Sequence, residues 1–208
     1  MAERKPTAEQ LLEGEEYKKL KELHHDEMVP FLLENLKNRN PVNGVFKHGT
    51  MLLIALVLYV WIGRWDTTSF FIGLGAGILF TFTVGVIIHE VLHLIVYKIL
   101  GAKKTRLKAL WDQGAVAAVA DRFVVSEKEF YFLAFTPFVV LTTAGIIALF
   151  NTYGWVFYGV SIFLVVHATA CIGDFSLAGF IYENRNQSIL TFDNTEEDKS
   201  YFFIKKEL

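Results

Sequence analysis

Charged residues are absent from three long stretches of this 208-residue chain, although Asp, Glu, Lys and Arg make up 20% of it. The uncharged stretches are His48–Gly63, Thr67–Ile88 and Phe130–Gly173, of 16, 22 and 44 residues. A bilayer core about 30 Å thick is crossed by roughly 20 apolar residues of helix. This distribution argues against a water-soluble protein and against a disordered one.

Cysteine and net charge are also scarce. Cys171 is the single cysteine of the sequence, which excludes an internal disulfide framework. The formal net charge is -2, so the chain lacks the basic surplus that nucleic-acid binding requires. We therefore expect the lipid bilayer, and no nucleic acid, as a partner, whereas the sequence leaves the oligomeric state open.

The apolar runs predict an all-α membrane protein with four membrane-spanning helices. The predicted spans are residues 49–63, 69–100, 130–150 and 155–182, within a membrane-embedded domain at 48–183. The 44-residue run must be interrupted, because a single helix of that length would be about 66 Å long. Its cluster of turn formers, Asn151-Thr-Tyr-Gly154, predicts the position of the break.

The two ends of the chain are polar. Residues 1–47 are predicted to form a cytosolic amphipathic helical segment that is interrupted near Pro30, and residues 184–208 a cytosolic tail. The apolar residues that recur at roughly helical spacing in the first segment are Leu11, Leu12, Leu20, Leu23, Phe31, Leu32 and Leu36.

The polar connection between the second and third predicted spans contains one unusual element. Small and β-branched residues follow one another from Gly114 to Ala120. This composition favours a short β or re-entrant element at 105–125.

The basic residues predict the orientation in the membrane. Eight Lys and Arg residues precede the first span, six lie at 101–128 and four lie in the C-terminal tail, whereas the other two loops hold one and none. Because Lys and Arg are retained on the cytoplasmic side, we expect a multi-pass protein of the cell membrane with both termini in the cytosol.

One sequence motif carries chemistry. His89-Glu90-Val91-Leu92-His93 has the form His-Glu-x-x-His, which on a helix places both imidazoles on one face. Two imidazoles leave room on a Zn²⁺ ion for a third protein ligand and a water. Glu90, beside the first ligand, is placed to act as general base toward that water. The structural alternative is a buried His-Glu-His hydrogen-bond network that only holds helices together.

Asp174 is the candidate third metal ligand. It is the only acidic residue between Glu129 and Glu183, and a lone carboxylate in an apolar span needs a cation. The alternative is an Asp at the membrane boundary that is paired with a loop Lys or Arg.

Two further residues of the fourth span share a helical face with Asp174. His167 lies about 10 Å from Asp174 along the axis of a continuous helix, so we interpret it as a neighbour of the ligands or a substrate contact rather than a ligand of the same ion. A satisfied membrane histidine is the alternative. We interpret Cys171 as a packing residue, although it could also serve as a ligand.

These motifs resemble those of the "putative zincin peptidase" family of small membrane proteins, which is similar in plan to the site-2 intramembrane metalloproteases. The resemblance rests on the His89–His93 motif near the end of one span, a basic connection, a span with Thr136-Pro137 and a later Gly173-Asp174. It covers about residues 69–185. It implies that His89, His93 and Asp174 bind zinc and that Glu90 is the catalytic carboxylate.

The predicted function is therefore that of a membrane-embedded zinc metalloendopeptidase. It would hydrolyse a peptide bond of a transmembrane or membrane-adjacent protein, with Glu90 activating a zinc-bound water. The alternative is a non-catalytic membrane protein that binds metal or acts as a scaffold. Glu90 distinguishes the two, because a pure metal site does not need a carboxylate beside the first histidine.

Overall fold

The computed structural model describes residues 5–110 and 115–206. Four of its helical stretches are long and apolar enough to cross a membrane, namely Pro41–Trp61, Thr67–Ile99, Glu127–Asn151 and Gly154–Glu183. The predicted number of long apolar helices is confirmed. The first begins at Pro41 rather than near residue 49, because Asn40 caps the helix by accepting the backbone N–H of Asn43 and Pro41 follows at the first helical position.

The chain forms eight α-helices and six β-strands within the described residues. The helices are α1 (Ala8–Glu13), α2 (Met28–Asn35), α3 (Pro41–Trp61), α4 (Thr67–Phe80), α5 (Val86–Ile99), α6 (Glu127–Asn151), α7 (Gly154–Ala170) and α8 (Ile172–Glu183). The strands are β1 (Tyr17–His24), β2 (Thr105–Leu110), β3 (Ala115–Ala120), β4 (Val125–Ser126), β5 (Leu190–Asn194) and β6 (Lys199–Lys205).

Two of the apolar stretches are interrupted. A π-helical turn, Thr81–Gly85, separates α4 from α5, and such turns are frequent at functional sites. Cys171 separates α7 from α8, so the predicted fourth span is not one continuous helix. The break predicted at Asn151–Gly154 is present between α6 and α7, where Gly154 has φ +55°.

A four-stranded antiparallel sheet, in the order β1-β6-β5-β4, shows that the predicted all-α class is wrong in part. The structure is mostly helical, but the polar C-terminal tail supplies two strands and the N-terminal segment supplies one. Backbone pairing between β1 and β6 joins the two ends of the described chain, from Tyr17 opposite Lys205 to His24 opposite Lys199.

The prediction of an amphipathic helical segment at 1–47 is wrong in part, because this segment also contains a strand. Residues 17–24 form a strand between two short helices, and Pro30 lies in the first turn of α2, where its missing N–H is tolerated. Residues 1–4 and 207–208 of the predicted terminal segments lie outside the described residues.

The β element predicted at 105–125 is present as an antiparallel hairpin of β2 and β3, paired from Thr105 opposite Ala120 to Leu110 opposite Ala115. Residues 111–114 of this prediction, including Gly114, lie outside the described part of the chain. The hairpin packs against α5 and is fastened to the loop between β5 and β6, where Thr195 donates its backbone N–H (3.0 Å) and hydroxyl (2.7 Å) to Asp121.

Helices α4 and α7 pack closely because glycines line their contact. Gly73 and Gly77 on α4 face Gly159 on α7, and a Cβ atom added at Gly73 would lie 2.5 Å from the carbonyl oxygen of Trp155. Small residues of this kind allow helices to approach each other in a membrane. The close packing fixes α7 against the helix that leads into α5.

Candidate metal centre

Helix α5 presents both histidines of the motif on one face. His89 and His93 are one turn apart, and their Nε2 atoms lie 3.1 Å from each other. Both side chains are largely buried, with 14% and 10% of their surface exposed. The helical expectation for the His-Glu-x-x-His segment is met in the described structure.

Asp174 completes a triangle of ligand atoms with the two histidines. Its carboxylate oxygens lie 3.2 Å from Nε2 of His89 and 3.4 Å from Nε2 of His93. Zinc binds imidazole nitrogen and carboxylate oxygen at about 2.0–2.2 Å, which places the ligands of a tetrahedral ion about 3.3 Å from one another. The separation of the two Nε2 atoms and the distances from them to the two oxygens of Asp174 all lie at 3.1–3.4 Å, so the donor set fits a tetrahedral metal ion in both chemistry and geometry.

The orientation of His93 is set by a backbone carbonyl on α6. Nδ1 of His93 lies 3.1 Å from the carbonyl oxygen of Leu133. A carbonyl can only accept, so Nδ1 carries the proton and Nε2 keeps its lone pair toward His89 and Asp174. In an α-helix this carbonyl would accept the N–H of the residue four positions later, which is Pro137 and has none. The proline therefore makes the Leu133 carbonyl available to the histidine.

His167 contacts the imidazole of His89 on the side away from Asp174. Its Nε2 lies 3.1 Å from Nδ1 of His89, whereas the Nε2 side of His89 faces Asp174. Nδ1 of His167 has no hydrogen-bond partner among the described residues. With its proton on Nδ1, His89 donates to His167 and leaves its own Nε2 lone pair for a metal.

The break at Cys171 makes this arrangement feasible. His167 belongs to the last turn of α7 and Asp174 to the first turn of α8, so the two need not lie on one straight helical face. Cys171 is buried against Phe46 and Phe175, and its Sγ lies 3.7 Å from Nε2 of His167. His89, His167 and Cys171 together form a second group with ligand atoms within 4.8 Å of one another.

Glu90 lies beside the histidines and is held by the hairpin. With His89 and His93 it forms a group of ligand-type side chains whose atoms are within 4.8 Å of one another. The backbone N–H of Ala118 on β3 donates to Oε2 of Glu90 at 2.6 Å. A carboxylate fixed by one oxygen keeps the other for a water or a substrate proton.

A cavity of about 250 Å³ extends from the centre toward the four-stranded sheet. Glu90, His93 and Asp174 contribute to its wall from the helices, and Asp193 and Ser200 contribute from the sheet. The centre is therefore connected to a space between the helices and the sheet.

Several residues of this site were not identified from the sequence. Leu133 and Ala118 bind His93 and Glu90 through backbone atoms, which no residue type reveals. Pro137 did carry a signal, because a proline inside an apolar helix always leaves a carbonyl four residues earlier without its usual donor. The wall residues Asp193 and Ser200 lie within residues 184–208, which the sequence predicts as a polar tail.

Comparison with known proteins gives one match. A family model described as "Putative zincin peptidase" matches residues 82–189, from the π-helical turn to the start of β5. No curated protein matches the chain. No solved structure matches it either.

Proposed function

The chain belongs to the family described as "Putative zincin peptidase", and from this premise we propose that it is a membrane-embedded zinc metalloendopeptidase. Its substrate would be a transmembrane or membrane-adjacent protein. The observation that supports this most strongly is the triangle of His89, His93 and Asp174 at separations expected for ligands of one tetrahedral ion, with Glu90 beside it.

His89, His93 and Asp174 would hold the zinc ion, which when bound supplies a Lewis acid that polarises the substrate carbonyl. Imidazole nitrogen and carboxylate oxygen are ligand types that zinc accepts. The Leu133 carbonyl and His167 orient the two imidazoles, so that the ligand atoms do not have to be rearranged when the ion binds.

Glu90 is the general base in this proposal. Its carboxylate accepts a proton from the attacking water and delivers that proton to the nitrogen of the leaving amine. The Ala118 amide fixes one carboxylate oxygen, which holds the other toward the reaction. The apolar surroundings exclude bulk water, which strengthens the electrostatic interactions on the developing charge.

The outer edge of β3 is the surface that we assign to the peptide substrate. β3 pairs with β2 on one side only, and the Ala118 amide on its other side already points at Glu90. An extended peptide can add to such an edge through main-chain hydrogen bonds. This would present its backbone, rather than a particular side chain, to the catalytic carboxylate.

We also propose that the site opens toward the cytosol. The segments before α3, between α5 and α6, and after α8 hold most Lys and Arg residues, and they include all six strands. The positive-inside rule places these segments on the cytosolic side. The cavity that reaches the metal centre is bordered by the same segments, so water would enter from there.

A comparison of wild type with Glu90→Gln tests the proposal. Both proteins are purified at full length, bound zinc is measured, and native membranes are searched for new protein N-termini after incubation. We expect the Glu90→Gln protein to keep zinc and lose cleavage, because the amide cannot accept the proton. Equal cleavage by both proteins would exclude Glu90 as the general base, and zinc without cleavage in either would favour a non-catalytic metal-binding protein.

Asp174→Ala tests the third ligand separately. Removal of one of three protein ligands should lower zinc occupancy sharply, whereas Asp121→Ala, a carboxylate bound to Thr195 outside the site, should leave it unchanged. Full zinc occupancy in Asp174→Ala would exclude this residue as a ligand.

A further inference from the structure

The cavity at the metal centre reaches beyond the part of the chain that the family model covers. The matched residues end at 189, yet Thr191, Asp193 and Ser200 from β5 and β6 line the same cavity as Glu90. These sheet residues touch the space where a substrate would lie. They are therefore placed to determine which substrates are accepted, independently of the residues that carry the chemistry.

Three carboxylates border this cavity, those of Glu90, Asp174 and Asp193. Tyr97 on α5 lines the same cavity. A divalent ion held at the metal centre would balance the charges of Glu90 and Asp174. Asp193, on the sheet, is not among the proposed ligands of that ion.

Of the basic side chains near Asp193, one is paired with another carboxylate and the other is mostly uncharged. Lys108 also lines the cavity, but its ammonium group is paired with Asp198. Burial holds the pKa of His25 below its ordinary value, so this imidazole is mostly neutral near pH 7. The only hydrogen bond that the structure gives to the Asp193 carboxylate within the described residues comes from the Ser200 hydroxyl, at 2.6 Å.

Burial raises the pKa of the Asp193 carboxyl above its ordinary value, although Ser200 and His25 act in the other direction. Such a shift means that the surroundings do not fully stabilise the negative charge. A cation that enters the cavity would supply the missing stabilisation.

The size and walls of the cavity suit one long side chain. Its volume of about 250 Å³ equals roughly eight waters at about 30 Å³ each. This is below the range of about 300–1,000 Å³ that is usual for pockets binding whole small molecules. Apolar side chains such as Leu133, Leu177 and Phe202 supply walls against which an aliphatic stem can pack, while its charged end reaches a polar group.

We propose that the cavity is a specificity subsite that takes a Lys or Arg side chain of the substrate near the scissile bond, with Asp193 as the residue that binds its cationic end. The proposal rests on the proposed peptidase function, because the side chain enters from a peptide bound at Glu90. It adds a substrate class, which is proteins with a basic residue next to the cleaved bond.

Peptide hydroxamates provide a direct test, because the hydroxamate group chelates zinc and anchors the peptide at the centre. The probes share one backbone and carry Lys, norleucine or Glu at each of the two residues nearest the hydroxamate. Binding is measured on the zinc-loaded full chain in detergent. We expect wild type to bind the Lys probe about tenfold more tightly than the norleucine probe at one position, as for a charge-assisted hydrogen bond.

Three variants complete the experiment. Asp193→Asn keeps an acceptor for Ser200 and should abolish the preference for Lys, and Asp193→Lys should reverse it in favour of Glu. Asp66→Asn is the matched control, since its carboxylate accepts the backbone N–H of Thr68 at the start of α4, outside the cavity, and it should keep the preference.

The possible failures are distinguishable. If hydroxamates bind but wild type shows no preference for Lys, or Asp193→Asn retains it, the subsite assignment is wrong and the peptidase proposal stands. If no hydroxamate binds to the zinc-treated protein, the peptidase proposal itself is overturned, and the subsite assignment falls with it.

Discussion

The carbonyl oxygen of Leu133 accepts a hydrogen bond from Nδ1 of His93 at 3.1 Å, and Pro137 makes this carbonyl available. A residue that never touches the metal centre thus sets the orientation of one of its ligands. The proline acts by lacking an N–H, so any residue that restores the N–H should compete with the histidine for the same carbonyl.

Pro137→Ala should therefore weaken metal binding. The new N–H at position 137 can bond to the Leu133 carbonyl, and His93 then loses the partner that fixes its tautomer. We expect zinc affinity to fall about tenfold, at the lower end of the range for lost ligand-orienting hydrogen bonds. The measurement is competition with a chelator. Thr136→Ala on the same helix is the control and should leave affinity unchanged.

His167→Ala should also lower zinc affinity, by about 10–100-fold, because Nδ1 of His89 loses its acceptor. His167→Gln offers a carbonyl oxygen in its place and should recover part of the loss. Zinc is again measured by chelator competition, with circular dichroism to verify folding. Unchanged affinity in His167→Ala would assign the histidine to helix packing alone.

Ala118→Pro should reduce turnover without removing zinc, because Glu90 loses the amide that holds its carboxylate. Loss of one charge-assisted hydrogen bond predicts a decrease in kcat of about tenfold or more. Val116→Pro is the matched control, since Val116 lies two residues away on the same edge of β3 and a proline there spares the bond to Glu90. Because this edge is also assigned to the substrate, Val116→Pro should raise KM, and kcat is therefore compared at saturating substrate. Equal kcat values in the two variants would show that the amide does not position the carboxylate.

Gly73→Ala should destabilise the contact between α4 and α7. The added Cβ would lie 2.5 Å from both the Trp155 carbonyl oxygen and Cβ of Tyr158, and such overpacking costs about 1–3 kcal/mol. Gly75→Ala, on the same helix, meets no atom within 4 Å and should be neutral or gain about 0.5–1 kcal/mol in helix propensity. Thermal unfolding in detergent micelles measures both, and only Gly73→Ala should lower Tm.

The orientation in the membrane can be tested with single cysteines in a Cys171→Ser background. Cysteines placed at Lys19 and Lys103 should react with an impermeant thiol reagent from the cytosolic side, and one placed at Tyr153 from the other side. This follows from the distribution of Lys and Arg among the loops. Labelling of the Lys19 and Lys103 positions from opposite sides would exclude the proposed topology.

The long apolar helices and the residues that meet at the candidate metal centre could be identified from the sequence because each has a local signal. Apolar runs, a cluster of turn formers and the His-Glu-x-x-His spacing are all readable within a few residues. Asp174 was identifiable because it is the only acid in a long uncharged region. The structure places it within 3.4 Å of both motif histidines.

The sheet could not be predicted in the same way, because its pairs are distant in sequence. Leu20 and Leu23 have helical spacing, yet their segment pairs with β6, whose residues lie at the opposite end of the described chain. The contact between His167 and His89 also has no signal in the sequence. The sequence predicts one continuous helix through Cys171, whereas α7 ends at Ala170 and α8 begins at Ile172.

The pairing of β1 with β6 has a consequence for the order of folding. During synthesis β1 leaves the ribosome before any of the four apolar helices, but its partner strand exists only after all four have been made. Until then the cavity wall that β5 and β6 provide is missing. The nascent chain can thus form the helices that carry His89, His93 and Asp174 first, and the cavity acquires its sheet wall only once β6 has been made.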